Sequence, residues 1–155
     1  MRILAHIRIW LPVICCLLLL MPALQAQTLR DRILGDVNIV DQGECAKIDV
    51  CFNHPVRYVK HFSPRSPDQA RTQLLPILVS PTDSKALFKR ESVRFKPGNP
   101  AALSQVMYEG NLEGGPLLTL VFDEPVAFQV KADNGERRLT IAVSGVGGRP
   151  DSCIQ

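Results

Sequence analysis

One sequence pattern occurs twice in this chain of 155 residues, and it constrains the fold more than any other feature. Residues 48–58 (IDVCFNHPVRY) align with residues 118–128 (LTLVFDEPVAF) at a separation of 70 residues. Each copy has alternating apolar residues, a three-residue corner that ends in proline, and a second run that begins with valine. Two such units bury their apolar faces best against each other, which predicts a small all-β sandwich of two similar sheets. The alternative to duplication is convergence of two β corners, and it also predicts β structure.

Eight extended runs of this kind recur along the chain, and together they predict a fold of seven or so strands. The runs cover Leu34–Val40, Ala46–Phe52, Val56–Phe62, Arg71–Val79, Leu103–Glu109, Leu117–Phe122, Val126–Lys131 and Arg138–Val143. The side chains on their inward faces are expected to form the core, namely Ile48, Val50, Phe52, Leu118, Leu120, Phe122, Leu139 and Ile141. A content of 12 Pro and 10 Gly suits a chain of strands and turns better than a helical bundle.

Three local signals refine this prediction. Only Asp83–Arg90 (DSKALFKR) has the pattern of a helix, with Asp83 as its cap. Pro76 indicates an edge strand or a bend, because proline cannot donate a ladder hydrogen bond. Residues 133–135 (DNG) are typical of a tight hairpin turn.

The N-terminal segment has the pattern of a secretory signal peptide. Arg2, His6 and Arg8 form a basic region that precedes an apolar run, residues 9–20, and a segment with small residues ends at Ala26. Twelve apolar residues are too short for a membrane-spanning helix, which needs about 20. We therefore expect residues 1–26 to be a signal peptide, 27–36 a lead, 37–144 the sandwich domain, and 145–155 a tail that is disordered unless Cys153 anchors it. The expected location is periplasmic or extracellular.

The charge that remains after such cleavage argues against nucleic acid as a partner. The whole chain carries a formal net charge of +3. Arg2 and Arg8 leave with the signal peptide and no acidic residue does, so the net charge falls to +1. A near-neutral domain lacks the basic footprint of a dedicated duplex-DNA binder.

Export also determines how the cysteines are interpreted, since disulfides persist in oxidising compartments. Three cysteines remain after the signal peptide: Cys45, Cys51 and Cys153. Cys45 and Cys51 are about 20 Å apart along one extended strand, which is beyond disulfide reach. Cys153 therefore pairs with one of the two, or all three stay reduced. Cys45 precedes its strand, so we expect a Cys45–Cys153 disulfide with Cys51 free and buried.

The order of elements in the first half resembles the AMIN domain. A short strand (Val37–Ile39), a charged break, an alternating strand (Lys47–Phe52), a corner and a third strand follow in the order of that family, over residues 37–77. AMIN domains accompany cell-wall amidases and secretin pore proteins of Gram-negative bacteria, and they consist of two similar small sheets. The resemblance implies targeting to peptidoglycan or the septum. At residues 67–75 (PDQARTQLL) the chain departs from the family pattern, which has Pro-x-Arg and then an apolar strand ending in Asp.

No motif in the chain predicts catalysis, a cofactor or a metal. Cys51, His54 and His61 are possible zinc ligands by type, but three ligands on one strand and its corner point apart, and no CxxC or HExxH spacing supports them. Asp123 and Glu124 are adjacent in a corner, where neighbouring side chains point to opposite faces. We therefore expect no enzymatic activity.

A basic segment is the strongest candidate for ligand binding. Lys85, Lys89, Arg90 and Arg94 lie close together with Phe95 following, and Tyr108 is a second aromatic residue that could add stacking area. Residues 107–124 hold four acidic and no basic side chains, and a smaller basic group comprises Arg57, Lys60, His61 and Arg65. The competing interpretation of the basic segment is a solvated helix face with Phe88 in the core.

Two classes of function follow from these features. The first is a non-catalytic module that binds peptidoglycan or another envelope glycan. The second is a module for protein interaction or assembly in an envelope machine such as a secretin, pilus or polysaccharide system, where an open sheet edge could accept a partner strand. The oligomeric state is not determined by the sequence.

Overall fold

The computed structural model describes residues 31–66 and 71–154, and residues from Ile33 onward form one compact unit. The predicted signal peptide, residues 1–26, lies outside the described residues, as does the first part of the predicted lead. Nine strands are present among the described residues: β1 Leu34–Asp41, β2 Ala46–Phe52, β3 Val56–His61, β4 Gln73–Pro81, β5 Arg90–Arg94, β6 Leu103–Glu109, β7 Leu117–Phe122, β8 Val126–Ala132 and β9 Arg138–Gly145.

The strands form two antiparallel sheets, as the repeat predicts. The four-stranded sheet has the order β1-β2-β9-β8, and the five-stranded sheet has the order β3-β4-β7-β6-β5. The inward side chains of both sheets share a single hydrophobic core. The eight predicted core residues are all at most 5% exposed, which confirms the predicted inward faces.

The topology repeats in the same way as the sequence. The first corner carries the chain from β2 in the four-stranded sheet to β3 in the five-stranded sheet, and the second carries it from β7 back to β8. Strands β1–β4 correspond in order to strands β6–β9. When each strand is exchanged for its counterpart, the order β1-β2-β9-β8 becomes β6-β7-β4-β3, which is the second sheet without β5. Equivalent backbone bonds brace the corners: Asn53 N–H donates to Ile33 O at 3.0 Å, and Asp123 N–H donates to Ala102 O at 2.8 Å.

The predicted helix is shorter than expected and of a different type. A 3₁₀ helix covers Ser84–Phe88, and its cap Asp83 accepts a hydrogen bond from the Lys85 N–H at 2.9 Å. Arg90 already belongs to β5, because residues 90–94 pair with β6. Phe88 is 83% exposed, so its predicted place in the core was wrong; Ala86 is the buried residue of the helix.

Pro76 lies inside a sheet, which corrects the prediction of an edge strand. Its strand β4 pairs with β3 on one side and β7 on the other. The Pro76 carbonyl accepts a hydrogen bond from the Phe62 N–H at 2.9 Å, so the nitrogen of Pro76 also faces the β3 side. Since β3 has ended at His61, no ladder bond is lost there.

The C-terminal segment is ordered by the predicted disulfide. Cys45 and Cys153 are bonded with their Cα atoms 6.3 Å apart, and a second 3₁₀ helix covers Pro150–Cys153. Both sulfur-bearing residues and Ala142 are buried together. Cys51 is free, as predicted, but it is half-buried rather than buried, because it lies on the outer side of β2.

Candidate functional site

The outer face of the five-stranded sheet is unusually apolar. Because side chains alternate along a strand, the residues between the buried ones on β4, β6 and β7 point outward. We call the apolar group that they form with Phe62 the apolar belt. It comprises Phe62, Leu74, Pro76, Leu78, Met107, Leu117 and Val121, with Thr119 at its centre, and every member is half-buried.

The register of the strands makes this belt continuous. Pro76 and Met107 lie opposite Thr119 from either side. In the neighbouring rows, Leu74 is opposite Val121 and Leu78 is opposite Leu117. Directly opposite side chains on one sheet face are in contact range, so the belt spans three adjacent strands without a charged residue between them.

Basic side chains border the belt along the edge strand β3. Lys60 lies opposite Leu78, and its Nζ is 5.1 Å from the centre of the Phe62 ring. Arg65 forms an isolated bridge with Leu74. Phe62, Arg65, Pro76, Leu78 and Leu117 are among the residues that line a shallow depression of about 150 Å³.

Basic side chains also border the belt along the opposite edge strand, β5. Arg90 lies opposite Glu109, and their side chains form an ion pair with Nη2 and Oε1 2.6 Å apart. Arg94 lies opposite Gln105. A depression of about 210 Å³ opens on this side between Arg90, Gln105 and Met107. The belt is therefore flanked by cations on both sides, with Glu113 in the first depression and the paired Glu109 in the second as acidic neighbours.

Only part of the predicted ligand-binding group lies on this face. Arg90 and Arg94 border it, whereas Lys85 and Lys89 belong to the connection that precedes β5. Phe95 is half-buried against the core, so only part of its ring is open.

Tyr108 does not have the role that was predicted for it. The side chain is fully buried, and its hydroxyl donates to the Ala86 carbonyl at 3.0 Å. Burial, with a smaller contribution from the Glu91 carboxylate opposite it, raises the pKa of Tyr108 to about 12. Tyr108 therefore stabilises the core and offers no stacking surface. Gly110 follows it because a Cβ there would collide with the backbone of Ala86 and Leu87.

Two other depressions are larger but mixed in chemistry. One of about 270 Å³ lies between β3 and the β8–β9 hairpin. Its lining includes two basic residues, Arg57 and Arg138, and two acidic residues, Asp133 and Glu136. Another of about 450 Å³ lies on the four-stranded sheet beside the C-terminal segment and includes Lys47, Lys131 and Thr140. Neither opens onto outward-facing apolar side chains of adjacent strands, as the depressions beside the belt do.

The residues considered for metal or acid–base chemistry are dispersed. Cys51 lies on the outer side of β2, whereas the His54 Nδ1 is 3.8 Å from Asp83 and the His61 Nδ1 is 2.8 Å from the Tyr58 hydroxyl. Over residues 31–66 and 71–154, no group of three or more His, Cys, Asp or Glu side chains has a metal-binding arrangement. In the same part of the chain, no helix is long and apolar enough to cross a membrane.

The sequence contains a signal for the apolar belt in two continuous apolar runs. Residues 74–79 (LLPILV) and 117–122 (LLTLVF) are apolar at nearly every position, not at alternate ones. Continuous apolar runs are typical of strands covered on both faces, whereas a sheet with one face in water alternates apolar and polar residues. The outward residues of β4 and β7 are thus apolar where a solvated sheet face would be polar.

Comparisons with known proteins provide no relative for this arrangement. No protein-family model, curated protein or solved structure matches the chain.

Proposed function

We propose that this chain is an exported, non-catalytic protein-interaction module that serves assembly in the cell envelope, with the outer face of its five-stranded sheet as the docking surface. The observation that carries the proposal is the apolar belt on β4, β6 and β7. A continuous apolar patch bordered by charged residues is characteristic of protein-binding surfaces. The AMIN-like order of the first half supports the envelope as the setting.

The proposed export has two supports. The first 26 residues have the pattern of a signal peptide. The Cys45–Cys153 disulfide suits an oxidising compartment, since disulfides are rare where thiols are kept reduced. Intact-mass measurement of protein recovered outside the cytoplasm tests this part. A chain that starts near Gln27 is expected, and retention of residues 1–26 would contradict it.

Peptidoglycan or another anionic glycan is the second candidate partner. It is favoured by the exposed Lys85, Arg90 and Arg94. Sugar recognition also uses exposed aromatic faces. The exposed Phe88 offers one such face, whereas the buried Tyr108 and half-buried Phe95 supply little. Protein binding ranks first because the apolar belt is the more extensive apolar surface. Co-sedimentation with purified sacculi at about 50 and 300 mM salt separates the candidates, since screening weakens a purely ionic contact with a polymer.

A photo-crosslinking experiment in cells tests the docking surface. A benzophenone amino acid replaces Thr119, at the centre of the belt, and in the control it replaces Gln129, which is exposed on the outer side of the four-stranded sheet. We expect a discrete protein adduct from position 119 only, and its loss when Leu78→Asn is added. Val40→Asn is the matched control, because Val40 is an exposed apolar residue on the other sheet. Equal adducts from both positions, or none, would refute the proposed surface.

A further inference from the structure

We infer that the partner segment on the apolar belt is an amphipathic α-helix whose apolar stripe has acidic residues along both sides. This inference rests on the proposed function, because it names what the docking surface binds. It is carried by the dimensions of the belt, by the placement of the basic side chains, and by the charges of the other possible occupants.

The width of the belt matches one helix. Its residues lie on three adjacent strands, β4, β7 and β6. Strands in a sheet are about 4.8 Å apart, so the belt is about 10 Å wide. An α-helix with its side chains is about 10–12 Å in diameter. A helix laid on the belt would therefore cover it and leave both edge strands beside the helix.

The length of the belt sets the length of the helical contact. The belt has three rows, and on β4 these rows contain Leu74, Pro76 and Leu78. Alternate residues on a strand are about 7 Å apart, so the rows extend about 14 Å. At about 1.5 Å per residue this corresponds to about nine or ten helical residues. Such a segment presents apolar side chains at positions i, i+3 or i+4, and i+7.

The basic side chains predict the charge of that helix. Lys60 and Arg65 border the belt on the β3 side, and Arg94 borders it on the β5 side with Arg90, whose charge Glu109 already pairs. All four basic side chains are exposed. Glu113 lines the depression beside Arg65, but Lys60 and Arg65 together leave an excess of positive charge on that side. Acidic residues on both flanks of the apolar stripe would therefore meet a cation on either side.

Other occupants fit these charges less well. A second copy of this chain would bring two cation-bordered faces together. The segment of residues 1–30 contains Arg2, Arg8 and Arg30 and no acidic residue, so it is basic as well. An anionic bilayer would favour side chains that protrude, but each member of the belt is half-buried, unlike the exposed Phe88.

Binding to designed peptides tests the inference with full-length protein. The probe is a fluorescent 18-residue helical peptide with a leucine stripe flanked by glutamates, and a second peptide replaces each glutamate with lysine. By anisotropy at low salt we expect the glutamate peptide to bind at least about tenfold more tightly, since several exposed ion pairs of modest strength act together. NMR shifts on binding should centre on Thr119 and Met107.

Charge reversal provides the decisive arm. The double variant Arg65→Glu, Arg94→Glu should reverse the preference, so that the lysine peptide binds more tightly. The matched control is Lys131→Glu, Arg138→Glu, two exposed residues of the four-stranded sheet, which should leave the preference unchanged. Equal affinity for both peptides, no binding of either, or an unaltered preference in the first variant would overturn the inference.

The remaining outcomes separate this inference from the proposed function. If the crosslink from position 119 forms but neither peptide binds, the face binds a protein of another shape, and only the helix is refuted. Binding to vesicles with anionic lipid but not to the glutamate peptide would assign the face to a membrane and refute the helix. Dimerisation that is lost on Leu78→Asn would assign it to a second copy of the chain and likewise refute the helix.

Discussion

The two outer faces of this sandwich derive from the same repeated topology, yet they differ in chemistry. On the four-stranded sheet, the Asp49 carboxylate pairs with Lys47 at 3.1 Å and accepts a hydrogen bond from the Thr140 hydroxyl at 2.7 Å. The disulfide-anchored C-terminal segment packs over Ala142 on the same side. On the five-stranded sheet, the equivalent positions hold the half-buried apolar belt. One face is completed within the chain, and the other has the composition of an interface.

The difference lies in how the outward side chains of each sheet are satisfied. Polar outward residues with local partners are what a solvated sheet face requires. Leu74, Leu78 and Leu117 leave part of their apolar surface open to water, which lowers solubility. The partner of the proposed function would cover this apolar surface.

The largest expected effect contrasts the two sides of one strand. Phe122 is fully buried on the inner side of β7, and Leu117 is half-buried on its outer side. Phe122→Ala should lower the free energy of unfolding by about 3–5 kcal/mol, because it removes core contacts and leaves a cavity. Leu117→Ala should lower it by less than about 1 kcal/mol. Urea unfolding measures both, and similar losses would contradict the assignment of inner and outer faces.

The second prediction concerns the disulfide that holds the C-terminal segment on the outer face of the four-stranded sheet. Cys45 and Cys153 are 108 residues apart in sequence, so their bond constrains a long loop of the unfolded chain. Cys153→Ser should lower the free energy of unfolding by about 2–4 kcal/mol. Peptide mapping without reduction should recover the Cys45–Cys153 pair. A Cys51–Cys153 pair, or three titratable thiols in the folded protein, would contradict the assignment.

The third prediction uses the buried hydroxyl beneath the five-stranded sheet. The pKa of Tyr108 is raised from 10 to about 12, so the folded state holds the proton more tightly than the unfolded state. This contribution is complete below pH 10 and is lost as the pH rises from about 10 to 12; a two-unit shift corresponds to about 2–3 kcal/mol. Urea unfolding at pH 9 and 11.5 should show a smaller decrease for Tyr108→Phe than for the natural chain. Equal decreases would show that Tyr108 does not cause the loss.

Much of the fold was predictable because alternation marks an inner face wherever one exists. The repeat around residues 48–58 and 118–128 predicted the sandwich, and position relative to β2 predicted which cysteine pairs with Cys153. β5 was missed because Arg90–Arg94 (RESVR) has one apolar residue and borders a segment that begins like a helix. Its pairing with β6 overrides that local preference.

The candidate site was predictable only in part, for a related reason. Charge clustering identified Arg90 and Arg94 but not what they border. The belt is assembled from three strands that are distant in sequence, and only the register places Met107 beside Thr119 and Pro76. Tyr108 points into the core because of its position in β6. From its residue type alone, a tyrosine could equally well lie on the surface.

The smallest expected effect tests the contrast between the faces most directly. Leu117→Asn adds a polar group to the belt at a half-exposed position that is opposite Leu78, where no hydrogen bond is lost. Its free energy of unfolding should change by no more than about 0.5 kcal/mol, and the solubility of the protein should rise. Asp49→Ala on the other face should cost about 1 kcal/mol, because the Thr140 hydroxyl loses its acceptor. If urea unfolding shows the larger loss for Leu117→Asn, the belt serves stability, and the difference between the faces has no bearing on binding.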